Sequence, residues 1–80
     1  MNEPELILSC QIPDGKKAII REIKGHFNTI TRLREMGFYE GMEVSKFHSN
    51  NNDCIILNVR GNKVYLNDIA AHCILVEVLS

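Results

Sequence analysis

The chain has no tryptophan, two prolines and three cysteines in 80 residues. Three widely spaced thiols, Cys10, Cys54 and Cys73, are too few and odd in number for a disulfide framework, and they suit a reducing compartment. Long apolar runs are missing too: no segment approaches the roughly 18 residues of a membrane span. The start, MNEPELILSCQIP, carries acidic groups where a secretion signal needs basic ones. Neither sign of charge dominates, since nine basic and ten acidic side chains leave a formal net charge of −1. Nucleic-acid binding draws on phosphate neutralisation, and only the short groupings Lys16-Lys17 and Arg32 with Arg34 could supply it. These absences predict a cytoplasmic domain that neither inserts into a membrane nor binds nucleic acid.

What is present is an ordinary globular composition, 45% hydrophobic and 24% charged. It fits one small domain over residues 1–80 behind an N-terminal tail of roughly residues 1–8. A chain of this size buries only about two-thirds of the surface its unfolded form exposes, leaving little room for a deep pocket beside the core. No catalytic motif surrounds Ser9, Ser45 or Ser49, so an enzyme is not expected.

Hydrophobic patterning predicts a series of short strands. Pro13-Asp14-Gly15 is a turn signal. The isoleucine-rich run KKAIIREI (residues 16–23) reads as a strand with Ala18 and Ile20 inward and Ile23 displaced by a bulge or strand end. NTITRLREMG predicts the one clear helix, capped by Asn28 or Thr29, with Ile30, Leu33 and Met36 recurring at threes and Gly37 as terminator. MEVSKFHS (residues 42–49) then leads into the polar turn Asn50-Asn51-Asn52-Asp53. CIILNVR (residues 54–60) places Ile55, Leu57 and Val59 on one face and turns at Gly61-Asn62. KVYL (residues 63–66) pairs back, residues 67–72 form a turn or a single helical turn, and CILVEVL closes the chain. Five short strands and one helix imply a mainly β fold, a small bent barrel.

The glycines Gly37 and Gly41 invite a phosphate-cradle reading, but a cradle needs glycines ahead of a helix, at its positive end. These follow the helix, so they are structural, as is Gly61. The six metal-capable side chains Cys10, His26, His48, Cys54, His72 and Cys73 include no C-x-x-C or H-x-x-x-H pair. Core thiols and surface imidazoles are the simpler reading, and no cofactor is expected. Weak ferrous binding at surface carboxylates such as Glu40 and Glu43 stays open, as on any acidic surface.

A partner surface remains. Phe38 and Tyr39 are consecutive, and a consecutive pair rarely buries both rings. Tyr65 alternates away from Val64 and Leu66, and Ile56 away from Ile55 and Leu57. These groups either contact another protein or pack against the tail residues Leu6, Ile7 and Leu8. Met36, Phe38, Tyr39 and Tyr65 form the candidate partner-binding set.

Taken in order, Ile12-Pro13-Asp14-Gly15, Ala18-x-Ile20-x-x-Ile23, Arg32-Leu33-x-x-Met36-Gly37-Phe38-x-x-Gly41, Val44, the hairpin through Val59-x-Gly61, Val64-x-Leu66 and Ala71-x-x-Ile74-x-Val76 resemble the FeoA family. That resemblance implies an SH3-like barrel of about five strands, cytoplasmic and non-enzymatic. It further implies an accessory role in ferrous iron uptake, with the cytosolic GTP-binding region of a FeoB-type membrane transporter as partner. Similar domains end DtxR-type metal-dependent repressors; with no helix-turn-helix ahead of the barrel, a stand-alone form is expected here. The chain departs from the family where Cys54 replaces a common proline, Tyr65 a small residue, and Asn67-Asp68 common arginines. A metal or redox sensor using the cysteines and histidines is the alternative from another class, as is a regulatory domain of a metal-dependent system. Weak self-association stays open.

Overall fold

The computed structural model describes residues 5–47 and 54–79. Six strands form one antiparallel sheet: β1 (Ile7–Leu8), β2 (Lys17–Ile23), β3 (Glu43–Phe47), β4 (Cys54–Val59), β5 (Asn62–Asn67) and β6 (Ile74–Val78). Their order across the sheet is β1-β6-β2-β3-β4-β5. Helix α1 (Phe27–Glu35) joins β2 to β3, and a one-turn helix α2 (Asp68–Ala71) joins β5 to β6. The architecture is the expected small, mainly β, SH3-like one, with the sheet left open between β1 and β5. The sixth strand comes from the expected tail, where Ile7 pairs with Val76 and Leu8 with Leu75. Two residues are too short a run for period-two patterning to register, so sequence reading missed them.

Alternation assigns the inner face. Ala18, Ile20, Val44, Leu57, Leu66, Ile74 and Val76 are all buried. On β2 the register with β6 jumps from Ile20↔Val76 to Glu22↔Leu75, leaving Arg21 as a bulged residue. The extra residue turns Ile23 inward although it stands three places from Ile20. Arg21 uses its displaced position to reach Glu77, Nε to Oε1 2.9 Å. Lys46 also falls on the inner face, opposite Leu57. Its stem lies along the core while Nζ donates to the Cys10 carbonyl at 3.2 Å and stands 3.7 Å from Asp14 Oδ1.

The ends of the core are closed by short links. Buried Ser9, in a 3-10 turn (Ser9–Gln11), donates its hydroxyl to the Ala71 carbonyl at 2.7 Å and so ties the entry of the chain to α2. At the other end Lys24 N–H donates to the Cys73 carbonyl at 2.8 Å. Gly25 (φ 139°) passes so near Cys73 that a Cβ there would lie 2.6 Å from Sγ. No residue with a side chain fits that crossing.

Two local expectations are corrected. Helix α1 begins earlier than expected: its cap is His26, whose Nδ1 accepts from Asn28 N–H at 3.2 Å, and Asn28 and Thr29 lie within the helix. Histidine is not among the usual capping residues, so the pattern pointed two or three residues too far in. The β4–β5 hairpin turns at Arg60-Gly61, not Gly61-Asn62, because Val59 pairs with Asn62. Both turn residues have positive φ, 53° and 84°, the type I′ geometry that fits the twist of a hairpin. The expected turn at Asn50-Asn51-Asn52-Asp53, the strand end at His48-Ser49, and the side chains of Cys54 and Ile55 lie outside the described residues.

Candidate functional site

The exit of α1 is built by main-chain hydrogen bonds. Gly37 N–H donates to the Arg34 carbonyl and Phe38 N–H to the Leu33 carbonyl, each at 3.0 Å. That pair is the Schellman closure, and it requires the left-handed backbone that Gly37 adopts (φ 99°). Leu33 and Phe38, the two positions whose side chains accompany such a closure, both belong to the core cluster. The chain then turns again, with Met42 N–H donating to the Tyr39 carbonyl at 3.2 Å and Gly41 N–H to the Ile20 carbonyl at 2.6 Å. The second bond fastens the turn to β2.

This geometry separates the expected contact residues. Phe38 is fully buried, 0% exposed, and is a core residue rather than a contact residue. The Schellman bond pulls it under α1, which leaves its neighbour outside. Tyr39 (48% exposed) and Met36 (39%) flank it on the surface. Tyr65, 66% exposed, stands on the outer face of β5, uncovered by Leu6, Ile7 or Leu8. Leu6, Ile7 and Leu8 lie instead at or near β1, where Ile7 packs on the core.

Sequence reading missed a clamp at the turn. Arg34 Nη1 and Nη2 donate to Glu40 Oε1 and Oε2 at 2.9 and 3.0 Å, a two-pronged pair. The same guanidinium lies 5.7 Å from the centre of the Tyr39 ring. The hydrogen bonds from Arg34 hold the Glu40 carboxyl down to about 2. In return the Glu40 acceptor raises the Arg34 guanidinium above its ordinary value. Both groups face solvent, so their ion pair adds little to stability and chiefly fixes the shape of the rim. The spacing of Arg34 and Glu40, six residues apart across a glycine stop, is not a helical pair, which hid it.

Tyr65 belongs to a second arrangement. Phe47 pairs with Ile56 and Ile56 with Tyr65, which places the three side by side across the outer face of β3, β4 and β5. Lys63 Nζ lies 4.6 Å from the centre of the Phe47 ring. Beside this row a cavity of about 460 Å³ is lined by residues that include Lys17, Glu43, Ser45, Asn58 and Arg60. Asn58 Oδ1 is buried there without a hydrogen-bond donor. Phe47 was the missing member of the row in the sequence: its position opposite Ile56 depends on the β3–β4 register, which no sequence pattern fixes.

The metal-capable side chains do not converge. His26 caps α1, His72 Nδ1 lies 2.6 Å from the Asp68 carbonyl, and Cys73 Sγ donates to the Ile69 carbonyl at 3.3 Å. Cys10 and Cys73 both pack against the core. Among the described residues no three His, Cys, Asp or Glu side chains are grouped to hold a metal ion. His48 and the Cys54 side chain lie outside the described residues. Among the described residues, no helix is long and apolar enough to cross a membrane.

The FeoA domain family model matches residues 10–78. The chain belongs to the FeoA family. Solved structures agree on the fold. An iron uptake regulatory protein (FeoA) superposes with TM-score 0.83 at 24% identity, covering 94% of this chain and all of that one. A FeoA-like protein from Clostridium acetobutylicum gives 0.85 at 25% identity, covering 98% and 92%. A manganese-dependent transcriptional repressor gives 0.87 at 16% identity, with 99% of this chain spanning only 45% of that protein. Comparison with curated protein sequences finds no match.

Proposed function

We propose that the chain is a non-enzymatic accessory of ferrous iron uptake. It docks on the cytosolic GTP-binding region of a FeoB-type transporter, modulates transport, and works in the cytoplasm without a resident cofactor. Membership of the FeoA family supports the pathway. The observation that carries the docking site is the helix rim, where buried Phe38 anchors the turn while Met36 and Tyr39 face outward. Tyr39 is presented on a fixed backbone, held between Gly37 and Gly41 and lying against the Arg34–Glu40 pair. A pre-shaped aromatic contact loses little conformational freedom on binding, which is what a small interface needs.

The test is a calorimetric titration of the chain against the purified cytosolic domain of such a transporter. Tyr39→Ala and Met36→Ala should each weaken binding about tenfold while leaving the fold intact. Equal affinity for the variants and the parent would remove the rim as the docking site. Anaerobic ferrous titration checks the alternative: stoichiometric binding lost in Cys10→Ser or Cys73→Ser would favour a sensor.

A further inference from the structure

A net charge of −1 disfavours nucleic acid only where cations and anions are mixed evenly over the surface. The outer face of the sheet is not evenly mixed. Register carries one outward position from strand to strand: Lys17 on β2 pairs with Ser45 on β3, Ser45 with Asn58 on β4, and Asn58 with Lys63 on β5. Exposed Arg60 joins this row, since it lines the same cavity as Lys17, Ser45 and Asn58. The one acidic residue in β3, β4 and β5 is Glu43. It stands 4.0 Å from Lys17 with both side chains exposed, a contact too loose to fix either.

Two residues along the strands, about 7 Å away, runs the parallel row of Phe47, Ile56 and Tyr65. Lys63 leans from the first row onto the second, with its ammonium 4.6 Å from the centre of the Phe47 ring. Phe47 is thereby occupied, and Tyr65, 66% exposed, is the ring left open. The cations fall in two places. Lys17 and Arg60 face the cavity, and Lys63 stands outside it against Phe47. One small anion cannot use both places, whereas a chain of anions can. An acidic peptide supplies charge without a flat face for Tyr65. A single nucleic-acid strand carries both, with phosphates along its backbone and bases to one side.

We propose that the outer face of β2 to β5 binds single-stranded nucleic acid. Backbone phosphates meet Lys17, Arg60 and Lys63, and a base stacks on Tyr65. The site requires neither Met36 nor Tyr39, so it stands or falls apart from the transporter reading.

The probe is a fluorescein-labelled oligothymidylate of about twelve nucleotides, titrated by anisotropy against the full chain at low salt. Binding is expected. The logarithm of affinity should fall against the logarithm of salt with a slope of about −2, the value for three phosphate contacts on a single strand. Arg60→Asn removes one cation yet suits the left-handed backbone at that position, and it should shrink the slope by about 0.7. Tyr65→Ala should weaken binding at least about fivefold with the slope unchanged, and Tyr65→Phe should restore it. An oligomer of abasic sites should bind at least about fivefold more weakly than oligothymidylate. No binding overturns the proposal. So does an abasic oligomer that binds as tightly as oligothymidylate, because charge alone would then be read. Polyglutamate that displaces the oligonucleotide at matched charge also overturns it, and assigns the face to an acidic protein segment.

Discussion

Between Leu33 and Met42 the main chain is tied at nearly every step, whereas along β5 one side of the backbone has no described strand against it. Both regions show an aromatic ring to solvent, Tyr39 in the first and Tyr65 in the second. At the rim the ring is a by-product of closure: the bonds that stop α1 drive Phe38 inward and expel its neighbour. On β5 the ring follows from alternation alone, and nothing local fixes what lies beside it. The rim should therefore be rigid and sensitive to substitution, and the edge tolerant.

The sharpest break in that comparison is Phe38→Ala. Emptying a fully buried ring should cost about 3–5 kcal/mol, against about 4–12 kcal/mol for a whole domain of this size. Urea unfolding should show a chain only marginally folded. Gly37→Ala comes next. It forces a side chain into the left-handed region and should cost about 1–2 kcal/mol, read as a fall of several degrees in Tm.

Acid probes the rim more gently. The Glu40 carboxyl is held at about 2, below its usual 4.5, so its contribution is complete above about 4.5. It is lost as pH falls toward 2, because protonation removes the acceptor that Arg34 uses. Carboxyl chemical shifts should place the Glu40 midpoint near 2, and Glu40→Gln should abolish that transition. The smallest effect belongs to the edge: Tyr65→Ala should change stability by less than about 0.5 kcal/mol. A larger loss in the same urea experiment would mean that Tyr65 packs on more than solvent and its strand neighbours.

The helix stop at Gly37 and the inward faces of β2 and β4 were legible because each rests on neighbours within a few residues. The bulge was half legible: Ile20 and Ile23 cannot both face inward on an unbroken strand, which left a bulge or a strand end as the choices, and the β6 register decides for the bulge. Register was not. Reading the turn as Gly61-Asn62 would slide β5 by two residues, which keeps every face correct yet sets Tyr65 opposite Asn58 instead of Ile56. Arg60 in a left-handed conformation is the reason, since an arginine there gives no turn signal. The Arg34–Glu40 pair and the row from Phe47 to Tyr65 depend on where whole elements pass one another, and local patterning carries no such information. Phe38 was misplaced between core and surface because alternation stops at a glycine turn and the Schellman bond decides the side.

The crossing of Gly25 over Cys73 has a practical consequence. The sulfur is covered on that side by a peptide link with no side chain to swing aside. The thiol is only half-buried, so a reagent still reaches it from the side away from Gly25. A methyl group at position 25 would press on the sulfur itself, so Gly25→Ala disturbs the foot of the helix through Cys73 without altering either element.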